Sequence, residues 1–135
     1  MEYSEIVAEA SVHGVLRIAE AILEHHPVRI IKPPSPGMVM VRHVDPLENT
    51  LFLLGETYVM ECEVEVDGHL GYGCSLGASE ERALCGALVD AVVGGGHELA
   101  PEVTRLLRDE EREIRGRWET EGLAAASTRV NFDVR

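Results

Sequence analysis

The chain has 135 residues, of which 45% are hydrophobic and 27% charged, and it carries 24 acidic against 12 basic side chains for a net charge of −12. This length and composition predict one globular domain over residues 1–135. The excess of negative charge disfavours nucleic acid and anionic membranes as partners. Three cysteines without a C-x-x-C spacing, and the lack of a basic-then-apolar leader, indicate reduced thiols and a cytoplasmic protein.

The first part of the chain predicts a helix followed by strands. Apolar residues recur at three- and four-residue steps from Ser4 to about His26, which predicts one helix that Pro27 ends. The period then changes to two, which predicts short strands at residues 28–31 and 38–44. Because the segment between them contains three prolines, we expect a stiff connection there.

A long strand and a hairpin follow. Residues 51–66 are long enough for one bent strand or two short ones, and Gly55 marks the expected break. Asp67-Gly68 then stands between alternating residues, which is a strong signal for a β-hairpin.

Two registers of this hairpin are compatible with the sequence. A two-residue turn pairs Val64 with Gly71, whereas a three-residue loop with a bulge pairs Glu65 with His69. A slip of one residue exchanges the faces of the strand, so burial of apolar side chains decides between the two. We favour the bulged register, because it buries the apolar residues of both strands together. It places the glycines and His69 on the outer face with Glu61, Glu63 and Glu65.

The last third predicts two helices and a final strand. Ser79 is a suitable N-cap for a helix that ends at the glycines of residues 94–96, and a second helix runs from near Pro101 to about Ala125. Residues 128–135 alternate like a strand that closes the sheet or reaches another chain. The predicted fold is α+β, with an antiparallel sheet of about four strands packed with an N-terminal helix and two C-terminal helices.

No catalytic motif stands out. The glycine-rich segment at residues 66–77 lacks the lysine of a phosphate-binding loop, and carboxylates open the helix that follows it. The histidines at 13, 25, 26, 43, 69 and 97 show no metal-ligand spacing. One alternative stays open from the residues alone, namely a stand-alone small-molecule binding protein or enzyme that uses His69 and the glutamates of its strand face.

Four segments in order carry a resemblance to a known family. They are LLGE at residues 53–56, CEVEVDGHLGYG at 62–73, Gly77 with ERAL at 81–84 and ALVDA at 87–91, and TRVNF at 128–132. Together they resemble the PhnG family, a subunit of the carbon–phosphorus lyase system. This chain has Asn131 and Asp133 where the family has aspartate and phenylalanine.

The resemblance implies an accessory subunit that helps form α-D-ribose 1-alkylphosphonate 5-triphosphate from ATP and a phosphonate. It implies partners of the PhnH, PhnI and PhnJ types, with the PhnI type in direct contact, and a homodimer remains open. No cofactor or catalytic residue is expected in this chain, since ATP with magnesium and an iron–sulfur cluster would lie in partner subunits. The expected interface or motif residues are Gly55, Glu56, Asp67, Gly68, Gly71, Tyr72, Gly77, Glu81, Arg82, Asp90, Arg129 and Phe132.

Overall fold

The computed structural model describes residues 1–125 except Pro46, Asn49 and Thr50, with side chains at 41–44, 51–54 and 123–125 left out of the description. The predicted strand at 128–135, with Arg129 and Phe132, therefore lies outside the described residues. The elements are α1 (Tyr3–Glu9), α2 (Val12–His25), β1 (Val28–Val44), β2 (Leu51–Val66), β3 (His69–Leu76), α3 (Glu80–Val89), a π-helical turn (Asp90–Gly94) and α4 (Ala100–Ala125).

The N-terminal helical segment is divided into two helices, whereas the sequence predicted one. Ala10 and Ser11 have extended backbone angles, and the Ser11 hydroxyl accepts a hydrogen bond from the Gly14 N–H at 3.1 Å. Ser11 is therefore the N-cap of α2, and a serine at this position satisfies one of the free N–H groups at a helix start. The periodicity misses this break because buried residues continue at three- and four-residue steps across it, through Val7, Ala10 and Gly14.

Over the described residues the sheet is antiparallel with the order β1-β2-β3, so the α+β prediction is confirmed, with three strands in this part of the chain where about four were predicted. The two short strands predicted at 28–31 and 38–44 form one strand. Register shifts between Ile30 and Ser35 absorb Pro33 and Pro34 as bulges, and Pro36 pairs with Met60, all on the edge strand β1, where a missing N–H is tolerated. Gly55 also marks a bulge, with φ of +143°, within a continuous β2.

The β2–β3 hairpin has the two-residue turn, so the favoured bulged register is wrong. Val66 pairs with His69, and Asp67 and Gly68 have φ of +47° and +83°, as in a type I′ turn. Cys62, Val64 and Val66 are fully buried, and Gly71 and Gly73 lie on the same buried face. The outer face carries Glu61, Glu63, Glu65, Leu70, Tyr72 and Leu76.

The close approach of α3 explains this register. A Cβ atom built on Gly73 would lie 2.0 Å from the Ala83 carbonyl oxygen, and one on Gly71 would lie 2.1 Å from that of Ala87. Only glycine lets a strand come so near to a helix backbone. The alanines of α3 face these glycines, so the helix lies directly on β3.

The core is centred on α3. Its residues Ala83, Cys85, Ala87, Leu88 and Val89 are fully buried, because the sheet covers one side and α1 and α2 cover the other. The last helix, α4, packs on α1, α2 and the π-helical turn. Burial raises the pKa of the Cys85 thiol to about 12. None of the helices in the described part of the chain is long and apolar enough to span a membrane.

One carboxylate is buried between α2 and α4. Glu110 is almost fully buried against Gly14, with one carboxylate oxygen 3.5 Å from Arg17 Nη2 and the other without a hydrogen-bond partner. Burial raises the pKa of Glu110, and the neighbouring Glu113 raises it further. A charge in this position destabilises the fold, since it is desolvated and incompletely paired.

At one end of the sheet, the last residues of β1 and the first residues of β2 form a two-stranded ribbon. Val59 pairs with the last residue of β3, Leu76, so β2 has no β3 partner before that point. We call residues 38–44 and 51–58 the hairpin arm. In the described part of the arm, β1 and β2 pair only with each other.

Candidate functional site

A groove of about 550 Å³ runs between α1 and the outer edge of β3. Three of the residues expected from the sequence, Tyr72, Arg82 and Asp90, line it. The structure therefore brings together residues from two of the segments that carry the family resemblance. Other lining residues come from both elements and from α3, among them Tyr3, Val7, Cys74, Ser79 and Gly86.

Asp90 joins α1 to the strand edge. The Tyr3 hydroxyl donates a hydrogen bond of 2.7 Å to Asp90 Oδ1, and the Tyr72 backbone N–H donates one of 2.9 Å to Oδ2. The hydrogen bond to Asp90 raises the pKa of Tyr3, and burial adds to the increase. Because both carboxylate oxygens accept a bond, Asp90 fixes the N-terminal helix against an otherwise unpaired strand edge.

Tyr72 links the groove to the outer face of the sheet. Its hydroxyl donates a hydrogen bond of 2.7 Å to Glu61 Oε1, while Lys32 Nζ lies 3.1 Å from Oε2. These two donors lower the pKa of Glu61, with the Tyr72 bond as the larger cause. Burial and the bond to Glu61 raise the pKa of Tyr72, so the phenol stays protonated at neutral pH.

Arg82 holds the end of α1. Its Nη1 donates to the backbone carbonyls of Val7, Ala8 and Ala10 at 2.9, 3.1 and 2.6 Å. Val7 and Ala8 are in the last turn of α1 and Ala10 directly follows it, so no helical N–H is available to these carbonyls. The guanidinium therefore acts as a C-terminal cap supplied from α3, and its charge favours the negative end of the α1 dipole.

The chemistry available in the groove is limited. No histidine is among its described lining residues, the Ser75 hydroxyl donates to the Leu76 carbonyl, and the Ser79 hydroxyl accepts from the Arg82 N–H. The Cys74 thiol is exposed. A nucleophile needs an adjacent base, and neither serine hydroxyl is hydrogen-bonded to a carboxylate or an imidazole among the described contacts. Tyr72, Arg82 and Asp90 therefore support the structure here.

Asp67 and Gly68 lie at the other end of β3, in a cluster that the sequence did not predict. The Asp67 carboxylate contacts His26, at the end of α2, and His97, before α4. The hydrogen bond from His97 is the main cause that lowers the pKa of Asp67. Sequence separations of 41 and 30 residues give no periodic signal, so only the fold reveals this contact.

The alternative site that combines His69 with the glutamates is wrong. His69 pairs with Val66 and packs against Gly95 near the His97 ring, on the helix side of the sheet. Glu61, Glu63 and Glu65 project from the opposite side. The two-residue turn puts these groups on different faces, so they form no common site.

The remaining expected residues lie apart from the groove. Gly55 and Glu56 are exposed on the hairpin arm, and Glu81 is exposed in the first turn of α3. Gly77 has φ of +85° in the turn that leads from β3 to α3, a conformation that glycine adopts without strain. Tyr3 and Lys32 were missed by the sequence reasoning, since a lone tyrosine in a helix and a lone lysine in a strand carry no signal of their partners.

Fold and groove define a small α+β protein with no activated nucleophile among the described groove residues and with exposed apolar side chains on its sheet. The sequence family of the phosphonate metabolism protein PhnG matches residues 2–135. The chain therefore belongs to the PhnG family, a subunit of the carbon–phosphorus lyase system. No curated protein matches the chain in a direct sequence comparison.

Proposed function

We propose that the chain is an accessory subunit of the carbon–phosphorus lyase core complex in the cytoplasm. In this role it helps form α-D-ribose 1-alkylphosphonate 5-triphosphate from ATP and a phosphonate, while its partners supply the catalytic groups. ATP with magnesium and the iron–sulfur cluster belong to those partners in this proposal. Membership of the PhnG family supports a place in the carbon–phosphorus lyase system, and the hairpin arm supports the role of a subunit within it.

The hairpin arm exposes the same face of the sheet that is buried against the helices farther along β2. Met60 and Cys62 of β2 point into the core, and the alternation of the strand puts Tyr58 on the same side. Met38 pairs with Tyr58 and lies on this side too, yet no helix in the described part of the chain covers it. Met38, Met40 and Tyr58 are 52%, 48% and 73% exposed.

An uncovered ribbon of this kind favours a binding partner. A two-stranded hairpin is only marginally stable in water without a third strand or a packed face. Methionine side chains are flexible and polarisable, which suits an adaptable contact surface, and tyrosine is enriched at interfaces. The apolar arm thus gains stability when another subunit covers it.

We assign the PhnI-type subunit to the arm, and PhnH and PhnJ types to other parts of the assembly. The net charge of −12 and the exposed Glu56 beside Met40 favour a partner with an apolar groove and a basic rim. A second copy of this chain is the competing occupant, but its arm would bring the same negative charge to the contact.

Co-expression tests the proposal. The chain is produced with a tagged PhnI-type subunit from the same source, and the purified mass is measured by light scattering. The test variant is Met38→Ser with Tyr58→Ser. The matched control is Leu16→Ser with Leu23→Ser, two leucines of α2 with similar exposure at 41% and 45%.

We expect wild type and control to form a stoichiometric complex and the arm variant to bind at least ~30-fold more weakly, since central interface residues contribute about 2 kcal/mol or more each. Equal binding by the arm variant and wild type would show that the arm is not part of the interface. A well-folded chain that never joins the partner would contradict the subunit role itself.

A further inference from the structure

Three segments that are distant in sequence meet at one end of the sheet. His26 is the C-cap residue of α2, Asp67 is in the β2–β3 turn, and His97 precedes α4. One candidate ligand atom from each lies within 4.8 Å of the other two. We call these three residues the junction cluster.

The geometry of the junction cluster is tight. Asp67 Oδ2 lies 2.9 Å from His26 Nδ1 and 2.5 Å from His97 Nε2. The two imidazole rings are nearly perpendicular, with centroids 4.5 Å apart. Two imidazole nitrogens and a carboxylate oxygen that converge in this way are a ligand set for zinc and related divalent ions.

We propose that the junction cluster binds one divalent transition-metal ion, zinc in preference, through His26 Nδ1, the Asp67 carboxylate and His97 Nε2. Nothing in this inference rests on the function proposed above. Ligand separations widen slightly when an ion replaces the hydrogen bonds, because zinc–ligand bonds of about 2.0–2.2 Å at tetrahedral angles separate neighbouring ligand atoms by more than 3 Å.

The surroundings suit a partly open site. Glu98 Oε1 lies 3.4 Å from His26 Nε2, the ring nitrogen that faces away from the cluster, so it is placed to accept that N–H and orient the ring. Carboxylates commonly play this role beside metal-bound histidines. The His97 side chain is buried, whereas the Asp67 side chain is half-exposed, which leaves room for water as a fourth ligand.

One existing hydrogen bond competes with the metal. The Leu99 N–H donates to His97 Nδ1 at 3.1 Å, so without metal the proton of a neutral ring lies on Nε2 and is donated to Asp67. Metal binding at Nε2 moves the ring proton to Nδ1 and releases the Leu99 N–H. The Leu99 amide is therefore a local reporter of metal binding.

The test measures zinc binding by calorimetry at pH 7.5 on the full chain after removal of any histidine tag. Cobalt is the spectroscopic probe, because its visible absorption distinguishes four-coordinate from six-coordinate sites. All proteins carry Cys74→Ser, which removes the exposed thiol as a competing ligand. Asp67→Asn keeps a residue that tolerates the positive φ of the turn, and His26→Gln removes the second ligand. His25→Gln is the matched control, since its exposed ring contacts the Ala21 carbonyl and makes no other hydrogen bond within the described part of the chain.

We expect one zinc per chain in the Cys74→Ser background and in the His25→Gln control. Asp67→Asn and His26→Gln should each weaken binding by about tenfold or more, given that even outer-shell changes produce effects of this size. The Leu99 amide resonance should shift on saturation with zinc. Absence of a one-to-one zinc site in the background protein, or equal affinity in the ligand variants and the control, would overturn the proposal.

Discussion

The glycines of β3 give the sharpest test of the fold. Gly73→Ala adds one methyl group on the buried face of the strand. The added Cβ would lie 2.0 Å from the Ala83 carbonyl oxygen and 2.5 Å from the Ala87 backbone nitrogen. Both neighbours are backbone atoms of α3, so no rotamer change relieves the contact. The helix must move by roughly 1.4 Å to reach a normal van der Waals distance.

This movement disturbs the most buried element of the protein. Overpacking in a rigid core typically costs about 1–3 kcal/mol, and here the whole of α3 must shift, so we expect the upper end of that range. For a domain of this size, ~3 kcal/mol lowers Tm by roughly 10 °C. Gly116→Ala is the matched control, since its Cβ meets nothing within 4 Å on α4 and should stabilise the helix by about 0.5–1 kcal/mol.

Urea unfolding followed by circular dichroism measures both variants against wild type. The two-residue turn predicts a large loss for Gly73→Ala and a small gain for Gly116→Ala. If Gly73→Ala unfolds within 0.5 kcal/mol (about the scatter of surface substitutions) of wild type, the close helix–strand contact and the register that creates it are refuted.

Three other substitutions test the fold and its charges. Leu70→Ser should change the free energy of unfolding by less than about 0.5 kcal/mol, because Leu70 is 71% exposed. A loss above ~2 kcal/mol would show that Leu70 is buried, as the bulged register requires. Arg82→Met removes three hydrogen bonds from a guanidinium and should cost about 2 kcal/mol in urea unfolding, with faster amide exchange in α1; unchanged exchange would contradict the capping role. Glu110→Gln should raise stability at pH 8 by about 1 kcal/mol. The folded state raises the pKa of Glu110, so wild type loses stability as pH rises through that pKa; the gain should therefore vanish below the ordinary pKa of 4.5, and a gain that persists there would contradict the assignment.

Much of the fold follows from local signals in the sequence. Ser79 as an N-cap, the position of the hairpin at Asp67-Gly68 and the long final helix were all predicted, because each depends on neighbouring residues. The register of the hairpin was predicted wrongly, because it depends on contacts with α3. Counting apolar side chains on the two strands alone favoured the register that buries Leu70. Gly71 and Gly73 have no side chains, so in the observed register α3 packs directly on β3, and this packing buries more apolar surface than Leu70 would.

The candidate sites show the same limit. Tyr72, Arg82 and Asp90 were identified through the family resemblance, and the structure places all three along one groove. Their roles could not be read from the sequence, since the partners of Arg82 are carbonyls more than 70 residues away. The junction of His26 and His97 with Asp67 was missed for the same reason.

Hydrogen exchange on the complex shows whether the hairpin arm is the docking surface. Amide exchange is measured on the chain alone and bound to the PhnI-type subunit, with the outer sheet face around Leu70 as the internal reference. We predict fast exchange in the hairpin arm of the free chain and strong protection of residues 38–44 and 51–58 in the complex. A complex that leaves these amides as exposed as in the free chain would contradict the arm as the docking surface.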